Sequence, residues 1–295
     1  MRIQHQLLAL LVAFIWGTNF VFIEVGLREL PPFLLACLRF LLVAFPLIFI
    51  LPRPQVPWWQ LISYGIPDRF RPVRPAVLGH AGQYHPRSGL TGSTAAGIFT
   101  ILLASLLFSE QVRPLQWLAL SICFSGLALI AVYNDADTTL TGLLIVLIAA
   151  LNWAAGNLVV KRAGRIHIIA FIAWSALFSI PPLALMSLVL EGGEAIWSAL
   201  TSAGPVSWAV VLWQTLGNTL IGYGLWNMLL NQYNASVVAP WALLVPVFGM
   251  LASALLLDEP MPWWKILAAL LIIGGLLLNL LATRRQRKRS AAAPL

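Results

Sequence analysis

Arg39 stands eight residues into the apolar run "PPFLLACLRFLLVAFPLIF", about 12 Å along it at the rise of a helix. A guanidinium at that depth in a bilayer costs about 2.5–3.5 kcal/mol on insertion scales, so it needs a carboxylate or backbone carbonyls. Glu24, near the end of the preceding apolar run, is the expected partner. Two readings stand side by side: an ion pair that joins two helices, and an anchor for a substrate carboxylate. Two further pairs have matching settings, Trp16 and Asn19 in "FIWGTNFVFIEVG" and Trp153 and Asn157 in "LNWAAGNLVVKRAG". Amides can hydrogen-bond both ends of a zwitterion, and an indole can wall a cavity. Their ordinary uses in membranes are interhelical hydrogen bonding for asparagine and interface anchoring for tryptophan. A third group lies in "WQTLGNTLIGYGLWNMLL", where Gln214, Asn218 and Tyr223 follow at spacings of four and five and are expected to share a broad face. Gly217, Gly222 and Gly224 there permit close packing or bending. Trp16, Asn19, Arg39, Trp153, Asn157, Gln214, Asn218 and Tyr223 form the expected substrate-binding set.

Other chemistry is poorly supplied. His5, His80, His85 and His167 form no cluster with acids, so neither a metal site nor a catalytic set is expected. No P-loop glycine pattern is present, so ATP drive within this chain is not expected, and no cofactor is implied. Cys37 and Cys123 lie inside apolar runs and read as small packing residues. Glu110 and Glu259 fall at the ends of apolar runs and read as surface or capping acids. Pro240 and Pro246 free backbone carbonyls, with a helix kink as the plainer consequence.

The elements that position these residues are membrane helices. The chain of 295 residues is 60% hydrophobic and only 9% charged, against about 25% charged in soluble domains. Apolar runs fall near 7–27, 32–51, 114–133, 140–160, 168–190, 206–230, 238–257 and 262–282, with an uncharged run at 88–108. The first run is too long for a signal-peptide core and is read as a span. The short alternating segments of a barrel are absent. The net charge of +8 owes much to the tail "RRQRKR", Arg284 to Arg289. Basic loops mark the cytoplasmic side, so the tail and "KRAGR" (Lys161 to Arg165) are expected inside, in contact with lipid headgroups rather than nucleic acid. "NDAD" and "EGGE" carry no positive residue and are expected outside.

The chain also repeats itself. "ASLLFSE" ends at Glu110 and "SALLLDE" at Glu259, and sixteen residues after each glutamate stands a glycine, Gly126 and Gly275. The offset is 149 there and about 137 between the Trp–Asn pairs, so the second half has gained residues, most simply in a loop at "EGGEAIWSALTSAGP". Five spans in each half would place the halves in opposite orientations, the inverted repeats of many transporters. The repeats are expected at 5–133 and 138–282, followed by a basic cytoplasmic tail at 283–295.

"LLALLVAFIWGTNFVFIEVGL", "NWAAGNLVVKR", "GYGLWNMLLNQY", "APWALLVPVFGMLASALLLDE" and "GGLLLN" resemble the EamA-type permeases of the drug/metabolite transporter superfamily, above all its bacterial exporters of O-acetylserine and cysteine. The resemblance covers about 5–65 and 98–282. It implies an all-α polytopic fold of ten transmembrane helices in two inverted five-helix repeats, with both termini cytoplasmic in the inner membrane. It implies export of small polar metabolites, such as cysteine or O-acetylserine, and no enzyme activity. The partners are then a small-molecule metabolite and the lipid bilayer, with a homodimer left open. Many members carry lysine at the Glu24 position, where this chain departs. The competing readings are a membrane enzyme acting on lipid or isoprenoid substrates, and an inactive product.

The last reading arises from residues 66–98, where the resemblance breaks. This stretch carries four arginines and four prolines, in place of a third helix like "SFGQFAFLF" and a fourth entered by "GLASLVLQAQAFF". Read one base out of frame, codons compatible with Arg71 to His80 give "GQFALLFWAM", and those for Arg87 to Ile98 give "GLASLVLQLQAF". Two compensating frame errors are therefore expected, the alternative being a genuine polar insertion. The third helix and the start of the fourth should be disrupted, with irregular backbone over about 67–87 and helix resuming between 88 and 98.

Overall fold

The computed structural model describes residues 1–69, 99–107, 114–134 and 140–292, giving backbone alone for 67–69, 131, 134, 140–147, 149 and 284–292. The described chain is all-helical. Helix α1 is Ile3–Gly26, α2 Pro32–Ile48 and α3 Trp58–Arg69. Residues 99–107 form α4, followed by α5 at Pro114–Asn134 and α6 at Leu140–Ala163. Helix α7, Ile168–Met186, runs on as a π-helical turn to Glu191. Short α8 is Gly193–Ser202. Helix α9 is composite: Pro205–Leu212, a π-helical stretch Trp213–Tyr223, then Gly224–Gln232. Helix α10 is composite too, with Ala235–Val238, a 3-10 segment Ala239–Leu244 and Val245–Leu256. Helix α11 is Trp263–Ala292.

Among the described residues, four helices are each long and apolar enough to cross a membrane: α1, α7 with its π turn, α10 and α11 to Thr283. Helices α8 and α9 pass that test only as a pair bent by 102°. Pro32–Ile48 and Pro114–Ile130 are apolar but shorter. The chain is thus a multi-pass membrane protein, while ten spans remain an expectation. Residues 67–69, expected to be irregular, instead close helix α3, which runs through Pro67 to Arg69; the rest of the irregular stretch expected at 67–87 and the restart of helix expected at 88–98 lie outside the described residues, and helix is present from 99 to 107.

The expected loop at "EGGEAIWSALTSAGP" is largely helix α8. Gly192, at φ +85°, turns the chain out of α7, and "EAIWSALTS" then supplies a helical face with Ala199 buried and Trp197 exposed. In α10, Pro240 and Pro246 each sit in the first turn of a new segment, where a missing N–H costs little. The helix is therefore re-registered through a 3-10 stretch rather than broken.

Several helix pairs share a pattern of packing. Helix α2 lies on α7 and α5 on α11. Helix α3 packs on α6 and α7, as α9 packs on α1 and α2. Exchange of α1 with α6, α2 with α7 and α3 with α9 maps these contacts onto one another. The α5–α11 crossing shows the same exchange at atomic scale. A Cβ on Gly126 would stand 2.7 Å from the Ala268 carbonyl oxygen, beside Ile272, and one on Gly275 would stand 2.6 Å from the Ala119 oxygen, beside Cys123. Residues 119, 123 and 126 become 268, 272 and 275 on adding the offset of 149 read from the sequence. Cys123 and Cys37 are both buried free thiols, in keeping with packing roles.

Carboxylates tie the helices at one end. Glu191 accepts from the Phe33 and Leu34 amides at 2.6 and 3.1 Å and from Ser187 Oγ at 2.6 Å, capping α2 from the end of α7. Glu29 accepts from the Gly204 amide at 2.8 Å and Ser207 Oγ at 2.7 Å, capping α9 from the end of α1. Negative charge at a helix N-terminus meets unpaired amides and the positive end of the dipole. At the opposite end, His5 Nδ1 and Tyr233 Oη lie 2.8 Å apart, Lys161 Nζ donates to the Tyr233 carbonyl at 3.3 Å, and Asn231 Nδ2 to that of Gly164 at 2.9 Å.

Candidate functional site

The π-helical stretch of α9 decides where its polar residues point. At 3.6 residues per turn, Gln214 and Tyr223 would fall two and a half turns apart, on opposite faces. The spacing of four and five therefore does not give a shared face on an α-helix. With i→i+5 bonding the turn widens to about 4.4 residues, and nine residues make about two whole turns. Gln214, Asn218 and Tyr223 then line up. Thr219 Oγ1 donates to the Gln214 carbonyl five residues back at 2.8 Å, and Gly217 and Gly222 give the widened turn room.

Arg39 is buried, 6% exposed, and its Nη1 donates to Gln214 Oε1 at 3.1 Å. Asn218 Nδ2 donates to the same oxygen at 3.2 Å. Glu24, the partner expected from sequence, forms no ion pair with Arg39 among the described residues: the lined-up face of α9 presents Gln214 to the guanidinium instead. Thr215 Oγ1 lies 3.4 Å from the Arg39 carbonyl oxygen, a weak contact, and donates to that of Val211 at 2.8 Å. Because an arginine can only donate, the acceptor on Gln214 must be Oε1, which fixes Nε2 as a donor. That Nε2 is buried and has no hydrogen-bond partner. A pocket of about 30 Å³ opens beside it, lined by Ile23 and Leu27 of α1 and its end, Pro32, Leu35, Ala36 and Arg39 of α2, and Gln214. That volume admits about two waters.

An aromatic group adjoins this network. Trp16 Nε1 lies 3.4 Å from the Asn218 carbonyl oxygen, at the long limit of a hydrogen bond. The Trp16 ring lies 5.1 Å from that of Tyr223, 5.2 Å from Trp226 and 5.8 Å from Trp153, and Trp153 stacks on Trp226 at 5.6 Å. Trp153 and Trp226 are fully buried, whereas Trp16 and Tyr223 keep exposed surface. Trp226 Nε1 donates to Asn157 Oδ1 at 3.1 Å, and Asn157 Nδ2 donates to Thr100 Oγ1 at 3.0 Å. Asn19, one helical turn from Trp16, is 6% exposed and its Oδ1 is buried without a hydrogen-bond partner.

Seven of the eight singled-out residues thus form one connected cluster, Arg39–Gln214–Asn218 at one end, Trp16, Tyr223 and Trp153 in the middle, and Asn157 joined through Trp226. Asn19 shares the buried α1 face but no hydrogen bond with them. Sequence reasoning missed Trp226 and Thr100. Trp226 stands three residues after Tyr223, a helical neighbour spacing, but thirteen tryptophans in a membrane chain dilute that signal. Thr100 follows directly on the departing segment. Glu259 is only partly exposed and pairs with the buried Lys265 at 3.3 Å, and Glu110 lies outside the described residues.

The EamA-like transporter family matches residues 5–72 and 140–281. The chain belongs to this family. It is a transporter, not an enzyme. A probable amino-acid metabolite efflux pump of Salmonella typhimurium is 38% identical over 262 residues, 86% of this chain and 87% of that one. A protein of the same description from Escherichia coli is 36% identical over 87% of this chain and 88% of its own. An uncharacterized inner membrane transporter, YedA of Escherichia coli, is 22% identical over 80% of this chain and 78% of its own. A crystal structure of a protein superposes with a TM-score of 0.75, covering 97% of this chain and 99% of that one at 19% identity, which shows the shared fold. The family match leaves out 73–139 of this EamA-like chain, a stretch that includes most of the segment where its resemblance breaks.

Proposed function

We propose that this EamA-like transporter exports small polar amino-acid metabolites, such as cysteine or O-acetylserine, from the cytoplasm across the bacterial inner membrane. Both termini lie inside, and the two repeats, 5–133 and 138–282, pack in opposite orientations. The names of the Salmonella typhimurium and Escherichia coli efflux-pump relatives support the substrate class. The observation that carries the reading is the Arg39–Gln214 pair at the wall of a pocket between α1, α2 and α9. A buried guanidinium beside an amide donor without a partner suits a carboxylate. The exchange of packing roles between the halves supports transport by rocking of one half against the other, with the pocket opening as α1 and α9 part from α2.

The test is export of radiolabelled O-acetylserine and cysteine from proteoliposomes containing the purified full chain. Arg39→Met should lower the export rate at least tenfold while the protein still inserts and elutes as a monodisperse species. Export unchanged in Arg39→Met would remove the carboxylate anchor from the reading. Absence of export with the wild-type chain would remove the reading itself.

A further inference from the structure

Gln214 is buried, 2% exposed, and its side chain is engaged at one atom only. Arg39 Nη1 and Asn218 Nδ2 both donate to Oε1, at 3.1 and 3.2 Å, which uses its two lone pairs. Nε2 is left as a buried donor without a hydrogen-bond partner. Buried polar groups are almost always paired, so this donor asks for an acceptor. The pocket of about 30 Å³ that Gln214 and Arg39 both line is where one can stand.

The wall decides which kind. Besides these two residues it consists of Ile23, Leu27, Pro32, Leu35 and Ala36. Arg39 can only donate, and Gln214 Oε1 is already taken. The side chains of the pocket thus offer donors and no acceptor. A water there would accept from Nε2 but point its own hydrogens at hydrocarbon, giving up bonds that it makes in bulk. An anion has no hydrogens to place, and apolar walls strengthen its attraction to a guanidinium. Glu191, at the start of α2, does not line the pocket, and its oxygens accept from the Phe33 and Leu34 amides and from Ser187 Oγ. Size narrows the choice further. The volume is about that of two waters, too small for a whole amino acid and sufficient for one halide ion.

From this geometry we infer a chloride site between α1, α2 and α9, with one ion held by Gln214 Nε2 and the Arg39 guanidinium among apolar side chains. The site itself stands on the donors and the volume. Its consequence rests on the transport reading above: the carboxylate of an exported metabolite uses the same donors, so substrate and chloride exclude each other. Chloride then occupies the closed pocket, and the substrate takes its place as the pocket widens.

The test uses the full chain purified in detergent. Its melting temperature is followed as chloride, and separately bromide, replaces isethionate at constant ionic strength, isethionate being too large an anion for the pocket. Either halide should raise the melting temperature along a saturating curve, as a ligand of the folded form does. Gln214→Glu places a carboxylate beside Arg39 and keeps an acceptor for the guanidinium and for Asn218, so it should lose the halide response. Ala36→Val adds bulk at the wall without touching either donor and should lose it too. In proteoliposomes with equal chloride on both sides, the O-acetylserine concentration for half-maximal export should rise about threefold from low to saturating chloride, with the maximal rate unchanged. Halide stabilisation without any export would overturn the transport reading and leave the site standing. Halide stabilisation with a half-maximal concentration indifferent to chloride would overturn the shared use of the donors. Equal melting temperatures in chloride and isethionate, the result for a pocket that takes water alone, would overturn the site. So would a halide response undiminished in both variants.

Discussion

Trp16 and Trp153 meet edge to face, their ring centroids 5.8 Å apart and their planes at 74°. They occupy places that the repeat expected from the sequence would match, and both rings belong to one aromatic group. Their burial differs. Trp153 is 2% exposed and stacks on Trp226, whereas Trp16 keeps part of its surface. Removing a fully buried tryptophan costs about 3–5 kcal/mol. Trp153→Ala should therefore act mainly on stability, lowering the melting temperature in detergent by several degrees. Trp16→Ala should lower it less and reduce export more. Equal stability losses in the two variants would contradict this division.

Gly126 and Gly275 set the approach of α5 to α11. Each has a carbonyl oxygen of the facing helix 2.6–2.7 Å from where a Cβ would stand. Backbone cannot yield as a side-chain tip does, so Gly126→Ala and Gly275→Ala should each push the helices apart. Overpacking of this kind costs about 1–3 kcal/mol. Gly274→Ala is the control, because among the described residues no atom of another helix lies within 4 Å of its Cβ position. Melting curves of the three variants in one detergent would check this, with both paired glycines falling and Gly274→Ala near wild type.

The glycine pair was legible in the sequence because a repeat offset is a one-dimensional signal, and Gly126 and Gly275 carry it in matching flanks. The apolar runs, the packing thiols and most residues of the candidate cluster were legible for the same reason: charge and amides are rare in such a chain, so Arg39, Gln214 and Asn157 stand out. What was not legible is geometry that depends on helix type. Gln214 and Tyr223 share a face only because the stretch between them is π-helical, and no apolar period reports that. The partner of Arg39 followed from it. Proximity along the chain favoured Glu24, but the widened turn brings Gln214 to the guanidinium. Helix α8 was hidden by the glycines on either side of "EAIWSALTS", which read as loop.

Gly222 lets Trp16 lie against the π-helical turn. A Cβ there would stand 2.6 Å from Trp16 Nε1. The indole cannot swing freely, since three rings surround it. Gly222→Ala should therefore displace Trp16 and its approach to the Asn218 carbonyl. We expect export to fall about tenfold while the melting temperature changes little, because Trp16 is only half-buried. A second substitution, Trp16→Phe, should relieve the crowding and recover part of the lost export in the double variant. Export unchanged by Gly222→Ala would show that the position of Trp16 does not matter to transport.

Glu29 gives a pH dependence with a defined sign. The Ser207 hydroxyl foremost, and then the Gly204 amide, hold its carboxyl below the usual carboxylate range. A depressed folded-state value means that ionised Glu29 favours the folded form above the unfolded value of about 4.3, and that this contribution is lost as pH falls through the folded value. The melting temperature of the wild type should therefore drop more steeply between pH 5 and pH 3 than that of Glu29→Gln, whose amide still accepts from Ser207 but does not titrate. Parallel profiles for the two proteins would show that the α1–α9 tie contributes no linkage.

Residues 66–98 carry a prediction that the sequence alone makes. Arg69, Arg71 and Arg74 fall within six residues, beside Pro67, Pro72 and Pro75. Three arginines at about 2.5–3.5 kcal/mol each outweigh what the few apolar neighbours gain on insertion. This reading frame is therefore expected not to encode a third span there, although the family match runs up to residue 72 and resumes at 140. Resequencing the gene should reveal two opposite single-base shifts, one near codons 66–68 and one near codons 98–99. Correction of both should restore apolar helices at the third and fourth positions. The corrected chain should export labelled O-acetylserine at a rate well above that of the uncorrected chain, at equal amounts in the membrane. Clean reads of the present frame, together with full export by the uncorrected chain, would make the segment a genuine polar insertion and discard the frame explanation.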